Sequence, residues 1–141
     1  MQAAALLTVA TVALAPGPDL RVTGVEAQAR AGTPGELRVP TTVQNAGNRR
    51  AAASRTRYFL SRDRTKGGDV RLASARVAAI RAGRSRTGTA GLQLPAGLKA
   101  GDWHVIACAD ATGVVAERRE RNNCAATRGA VEILPQIPPL P

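Results

Sequence analysis

The sequence predicts an all-β protein of seven strands in two stacked sheets, and three observations carry that expectation. Runs rich in Val, Leu and Thr alternate with polar residues at a period of two. Clusters of Gly, Pro, Asn and Asp separate those runs at fairly regular intervals. No stretch after Pro18 repeats its apolar residues at helical spacing.

Leu20 and Val22 begin the first strand, and Gly24 breaks the alternation before Val25, which predicts a bulge. Gly32-Thr33-Pro34-Gly35 turns the chain. Leu37, Val39, Thr41 and Val43 then form one face of a second strand, opposite Arg38, Thr42 and Gln44. Pro40 has no N–H to give a ladder, so the strand is expected to be bulged or on an edge there. After the turn Asn45-Ala46-Gly47-Asn48, Thr56, Tyr58 and Leu60 point inward while Arg55 and Arg57 point away. Arg62 to Asp69 forms a loop with neither phosphate-loop nor EF-hand spacing. Val70 to Ile80, Arg84 to Leu94 and Gly101 to Asp110 supply three more strands, divided by Ala82-Gly83 and Pro95-Ala96-Gly97. The seventh runs from about Cys124 to Leu134. Seven strands without helices fit a sandwich, spanning residues 18–134 as one domain. The tail from residue 135 to 141, Pro135-Gln136-Ile137-Pro138-Pro139-Leu140-Pro141, reads as an extended Pro-rich linker.

A chain of 141 residues holds one core, and 44% apolar but only 2% aromatic residues make that core one of Val, Leu, Ile and Ala. Small side chains bury little area each, so a covalent brace would help. Cys108 and Cys124 are the only cysteines. If Val131 and Ile133 face the core, parity turns Cys124 away from it, as it turns Cys108 away on the preceding strand. The sulfurs then meet across neighbouring antiparallel strands, where a disulfide fits. Redox chemistry lacks a Cys-x-x-Cys spacing, and a metal site lacks ligands.

Residues 1–15 resemble a signal peptide: Ala3 to Ala15 is an unbroken run of Ala, Leu, Val and Thr, ending in the small-x-small pattern Ala13-Leu14-Ala15. No Lys or Arg precedes Arg21 in this sequence, whereas a signal peptide usually opens on a charged segment. The run is shorter than the roughly 20 residues that span a bilayer, so no stable membrane span is expected. Export to the periplasm, the cell surface or the medium, with the cysteines oxidised, is the expectation.

Net charge is +10, and it is concentrated. Between Asn45 and Ala90 lie twelve basic residues (Arg49, Arg50, Arg55, Arg57, Arg62, Arg64, Lys66, Arg71, Arg76, Arg81, Arg84 and Arg86) against Asp63 and Asp69 alone. A face built from Arg55, Arg57, Arg71 and Arg76 is thus a candidate for binding anionic envelope polymers. A solvated face without a ligand is the plainer alternative. Nucleic acid is not expected as a partner, because Tyr58, Phe59 and Trp103 are too few to form a stacking platform. His104 is the lone histidine, and nothing resembles a nucleophile elbow, so neither catalysis nor a cofactor is predicted. Asp110, Glu117, Asn122 and Asn123 could offer oxygens to Ca²⁺. Arg118, Arg119 and Arg121 oppose a bound cation, which favours side-chain to backbone bonds in a turn instead.

Several fragments, in order, resemble the cell-adhesion-related domain found in bacteria, abbreviated CARDB. They are Pro18-Asp19-Leu20, Val43-Gln44-Asn45-Ala46-Gly47, Tyr58-Phe59-Leu60-Ser61-Arg62-Asp63, Pro95 through Trp103, Ile106 through Asp110, Val115-Ala116-Glu117, and Glu120-Arg121-Asn122-Asn123-Cys124. The resemblance implies an immunoglobulin-like seven-stranded β-sandwich in secreted or surface proteins, adhesive and without catalysis. The chain departs from the family in its density of Arg and in Arg118-Arg119, where small polar or acidic residues are usual. The expected function is a monomeric, non-catalytic binding or spacer module outside the cytoplasm, its partner a protein or an envelope polymer. A small envelope protein binding polyanions through its Arg-rich face is the alternative.

Overall fold

The computed structural model describes residues 17–33, 35–65, 70–109 and 123–135, and every regular element among them is a strand. The strands are β1 (Leu20–Val25), β2 (Arg30–Ala31), β3 (Gly35–Asn45), β4 (Ser54–Ser61), β5 (Val70–Val77), β6 (Ser85–Leu94), β7 (Gly101–Cys108), β8 (Cys124–Ala126) and β9 (Val131–Ile133). One sheet has the order β1-β3-β6. The other runs β2-β9-β7-β4-β5, with β8 also paired to β7. The two enclose a core that includes Leu20, Leu37, Val39, Leu60, Leu92, Val105, Val131 and Ile133, together with Tyr58 and Trp103. This is the two-sheet sandwich that the alternation and turns predict, with the immunoglobulin-like architecture that the resemblance implies.

Nine segments replace seven strands because the last strand is broken and the two-residue β2 is added alongside β9. Cys124 faces Cys108 and Ala126 faces Ile106, but Val131 faces Trp103 and Ile133 faces Gly101. Between Ala126 and Val131 the strand therefore advances two residues more than β7 does. An insertion of two keeps every side chain on its original face, whereas one residue would reverse them. The parity relating Cys124 to Val131 survives the break for that reason. Thr127 holds the gap closed: its N–H donates to the Val105 carbonyl at 2.9 Å, and its hydroxyl accepts from the Val105 N–H at 3.2 Å.

The register of β1 on β3 slips between Val22 and Gly24, as the misplaced glycine predicts. Pro40 differs from expectation. It lies in β3, the middle strand of its sheet, and the β3–β6 register runs without a break from Gly35 to Gln44. The Pro40 carbonyl accepts from Glu26 N–H at 3.0 Å, on the β1 side. A residue's N and C=O point to the same side of a strand, so the missing donor faces the place where β1 has just ended at Val25.

Asn45 ends β3 fully buried and ties four backbone groups together. Its Oδ1 accepts from Asp19 and Gly47 N–H, both at 3.0 Å, and its Nδ2 donates to the Arg49 and Ile80 carbonyls at 2.7 and 3.0 Å. Gly47 lies under the incoming chain. A Cβ there would overlap the Gly17 carbonyl oxygen and come within 2.7 Å of the Asp19 nitrogen, so no other residue fits. The chain enters the sandwich at this pole. It leaves at the opposite one, where Ile133 pairs with Gly101, the first residue of β7, and Leu134 N–H donates to the Ala31 carbonyl.

Candidate functional site

Cys108 and Cys124 are bonded, with Cα atoms 4.0 Å apart. They are direct cross-strand partners, and Ala109 N–H donates to the Asn123 carbonyl just beyond them. Cys108 and Cys124 are thus a non-hydrogen-bonded pair, the closer of the two antiparallel spacings. The bridge lies outside the main cluster, on the face predicted. Ile106 and Cys108 share that outward face yet are only 2% and 3% exposed. Alternation alone would leave both in water. Arg64, Thr65, Cys124, Ala125 and Ala126 line a hollow around Ile106.

The candidate basic face assembles on β4 and β5. Arg55 lies directly opposite Arg76, and Arg57 is opposite Ser74. Five positions separate Arg71 from Arg76, an odd number that would send them to opposite faces of a regular strand. A bulge resolves this: Leu72 and Ala73 together oppose Tyr58, so Leu72 turns inward and Arg71 falls outward, opposite Phe59. Arg71 nonetheless stands roughly 17 Å along the strand from Arg76. The tighter cluster is at the pole where Ala51 bridges Ile80. There Arg49 and Arg50 precede β4, Arg81 and Arg84 follow β5, and all four are exposed beside Arg55 and Arg76. Ion pairs among the described residues join Arg21 to Asp19, Arg30 to Glu132 and Arg38 to Glu36, and none engages a basic residue of the Arg-rich middle. Three members of that middle are nonetheless tied down, Arg55 among them, whose Nη1 donates to the Ser74 hydroxyl at 3.3 Å. Arg62 stacks 4.1 Å from the Trp103 ring and donates to the Asp102 and Ala100 carbonyls, and Arg86 Nε donates to the Ala79 carbonyl at 2.8 Å.

Between β5 and β6 the sandwich is open, and hydroxyls lie in the opening. Tyr58 Oη and Thr41 Oγ1 share a hydrogen bond of 2.7 Å. Burial pushes the Tyr58 hydroxyl above its ordinary pKa, and the bond to Thr41 partly offsets that. On the outer face His104 lies opposite Ser61 across the β4–β7 ladder, which brings a Ser, a His and Asp63 near one another. Their bonds do not form a relay. The Ser61 hydroxyl faces Asp63 Oδ1 at 2.9 Å and the Thr65 carbonyl at 3.2 Å, while His104 Nδ1 lies 3.3 Å from the Thr127 carbonyl. The Thr65 N–H, then the Ser61 and Thr65 hydroxyls, hold the Asp63 carboxyl below the usual carboxylate value. This is a loop brace in which the serine proton is directed to acceptors other than the imidazole.

A family model for CARDB matches residues 17–127. The chain belongs to the CARDB family. In fold, it is similar to the CARDB domain of a Pyrococcus furiosus protein, in a crystal structure with di-metal ions, at 19% identity and a TM-score of 0.60, covering 84% of this chain and 90% of that one. A solution structure of that domain aligns at 17% identity, 84% and 97% coverage and a TM-score of 0.60. A β-glucosidase from Listeria innocua with isofagomine aligns at 15% identity and a TM-score of 0.54, but the 82% of this chain that aligns corresponds to 16% of the enzyme. A search of curated protein sequences found no match. CARDB domains are non-enzymatic, adhesion-related or structural modules.

Among the described residues, the CARDB fragments hold the scaffold together. Asn45 and Gly47, read from sequence as turn residues, are the hub and the close-approach point of the entry pole. In the stretch from Pro95 to Trp103, Gly97 and Gly101 adopt positive φ of 79° and 121°, and Trp103 Nε1 donates to the Lys99 carbonyl at 2.9 Å. The Ca²⁺ candidates Asp110, Glu117 and Asn122 lie outside the described residues, as do the signal-like segment and most of the Pro-rich tail. Asn123 is described, and its Nδ2 donates to the Ala109 carbonyl at 3.3 Å, a side-chain to backbone bond of the kind the Arg-rich surroundings favour. Among the described residues no three His, Cys, Asp or Glu side chains gather as metal ligands, and no helix is long and apolar enough to cross a membrane.

Proposed function

We propose that this CARDB domain is a non-catalytic spacer and binding module that works outside the cytoplasm. Its entry and exit at opposite poles carry the reading. A sandwich threaded in this way adds its length, about 25 Å along the eight residues of β7, to any polypeptide it interrupts. The Cys108–Cys124 bridge supports an oxidising compartment, where small secreted domains use such braces. Cell fractionation with thiol alkylation tests this. The chain is expected outside the cytoplasm with both cysteines blocked by their bond, and recovery from the cytosol with two alkylated thiols would end the proposal.

One observation favours a second role for the same module, binding of anionic envelope polymers. Arg55 and Arg76 sit opposite each other at a pole that also carries Arg49, Arg50, Arg81 and Arg84, with no carboxylate paired to any of them among the described residues. Like charges directly opposed across strands are unfavourable unless something of opposite charge meets them. Retention on a heparin column should fall as salt rises. The double substitution Arg55→Gln/Arg76→Gln should elute earlier, and retention that ignores both salt and substitution sinks the reading.

A further inference from the structure

The opening between β5 and β6 has the make-up of a ligand site. Thr41, Thr56 and Tyr58 form its floor, Val43, Ala75, Val77 and Ala90 its walls, and Arg86 stands at its mouth. Thr56 carries the second, independent indication. It is 1% exposed, it faces inward between Arg55 and Arg57, and its Oγ1 is buried without a hydrogen-bond partner. Buried hydroxyls are nearly always partnered, and one left wanting beside a cavity points to a group that arrives from outside. Tyr58 and Thr41 satisfy each other, so the Thr56 hydroxyl is the group that lacks a bond on the floor.

The lining specifies the ligand's chemistry. A floor of three hydroxyls suits a polyhydroxylated molecule better than an aliphatic one, and the Arg86 guanidinium at the mouth suits a carboxylate. Arg86 is already positioned, since its Nε is held on the Ala79 carbonyl beyond the end of β5. Gly88 and the neighbouring Thr87 and Thr89 keep the β6 side of the mouth small. The cavity is about 210 Å³. A cavity of roughly 150 Å³ admits benzene, so this one holds a single substituted six-membered ring and not two.

We propose that this cleft binds one sugar-acid unit, with its carboxylate against Arg86 and its ring hydroxyls toward Thr56 and Tyr58. The site is distinct from the polymer-binding surface: Arg86 faces the cleft, whereas Arg76 lies opposite Arg55 on the outer face. An amide NMR titration of the oxidised full chain with galacturonate, and with galactose as its neutral counterpart, tests it. Galacturonate should shift the amides of Thr56, Tyr58, Val77 and Gly88 saturably, and galactose should bind about tenfold more weakly. Thr56→Val, which removes the hydroxyl and keeps the shape, should weaken galacturonate about three- to tenfold without altering heparin retention. Arg86→Gln, at an exposed position, should weaken it about tenfold and keeps the test decisive if the core substitution perturbs folding. The proposal falls if galacturonate produces no shifts in the cleft, if galactose binds equally well, or if the Arg86 variant binds unchanged. Loss of heparin retention in Arg55→Gln/Arg76→Gln alongside an unchanged galacturonate response of Arg86→Gln would sink the cleft and leave the polymer surface standing.

Discussion

Two of the polar residues inside this sandwich, Asn45 and Thr56, have side chains whose bonding is opposite in kind. Asn45 uses both lone pairs of its oxygen and both hydrogens of its nitrogen on backbone groups. Thr56, on the next strand of the chain and in the facing sheet, uses none of its own. A buried polar side chain that has met all its needs within the chain holds the fold together. One that has not is a place where another molecule could complete the structure.

The sharpest way to break the comparison is Asn45→Ala. It removes the partner of two N–H groups and of the Arg49 carbonyl, while the Ile80 carbonyl keeps the Ala51 N–H, and urea unfolding followed by the fluorescence of the single tryptophan, Trp103, should show a loss of about 4 kcal/mol. Replacing both cysteines by Ala should come next, at about 3 kcal/mol for a bridge closing a separation of 16 residues. Thr56→Val should go the other way. It removes an unpartnered hydroxyl from the interior, so the same measurement should show unchanged stability or a gain of up to about 1 kcal/mol. A loss comparable to Asn45→Ala would mean that Thr56 is structural after all.

The smallest effect belongs to Tyr58. It is the sole tyrosine, so phenolate absorbance reads it alone. Its titration should lie above the free tyrosine value of about 10 while the fold is intact. The sign follows from linkage: the folded chain holds the proton more tightly than the unfolded chain. The resulting stabilisation is full below the unfolded pKa and is lost as pH rises through the folded one. Thr41→Val should raise the titration further, because the Thr41 bond favours the phenolate. A titration at or below the free value would contradict the buried pair.

The fold was legible because period-two alternation and turn residues are local signals. The Trp103, Val105 and Ala107 face, the glycine turns at Gly83 and Gly97, and the Cys108–Cys124 pairing could each be read that way. What escaped depends on register between distant strands. Nothing local marks the Leu72–Ala73 bulge that places Arg71 on the same face as Arg76, or the pairing that sets Arg55 opposite Arg76. Thr56 was legible as inward-facing, but its missing partner could not be, since a lack of bonds is a property of the assembled interior. Pro40 misled for a related reason: its own residue type argued for an edge, while the end of β1 at Val25 created a local one inside the sheet.

The interrupted last strand has a consequence for how this module tolerates change. Its side assignment works like a reading frame of two letters: between Ala126 and Val131, additions or losses in pairs are silent, and a single residue scrambles everything downstream. Deleting Gly129 alone would oblige the chain either to turn Val131 and Ile133 into water or to pull the Cys124 sulfur away from its mate. Deleting Arg128 and Gly129 together would merely straighten the ribbon.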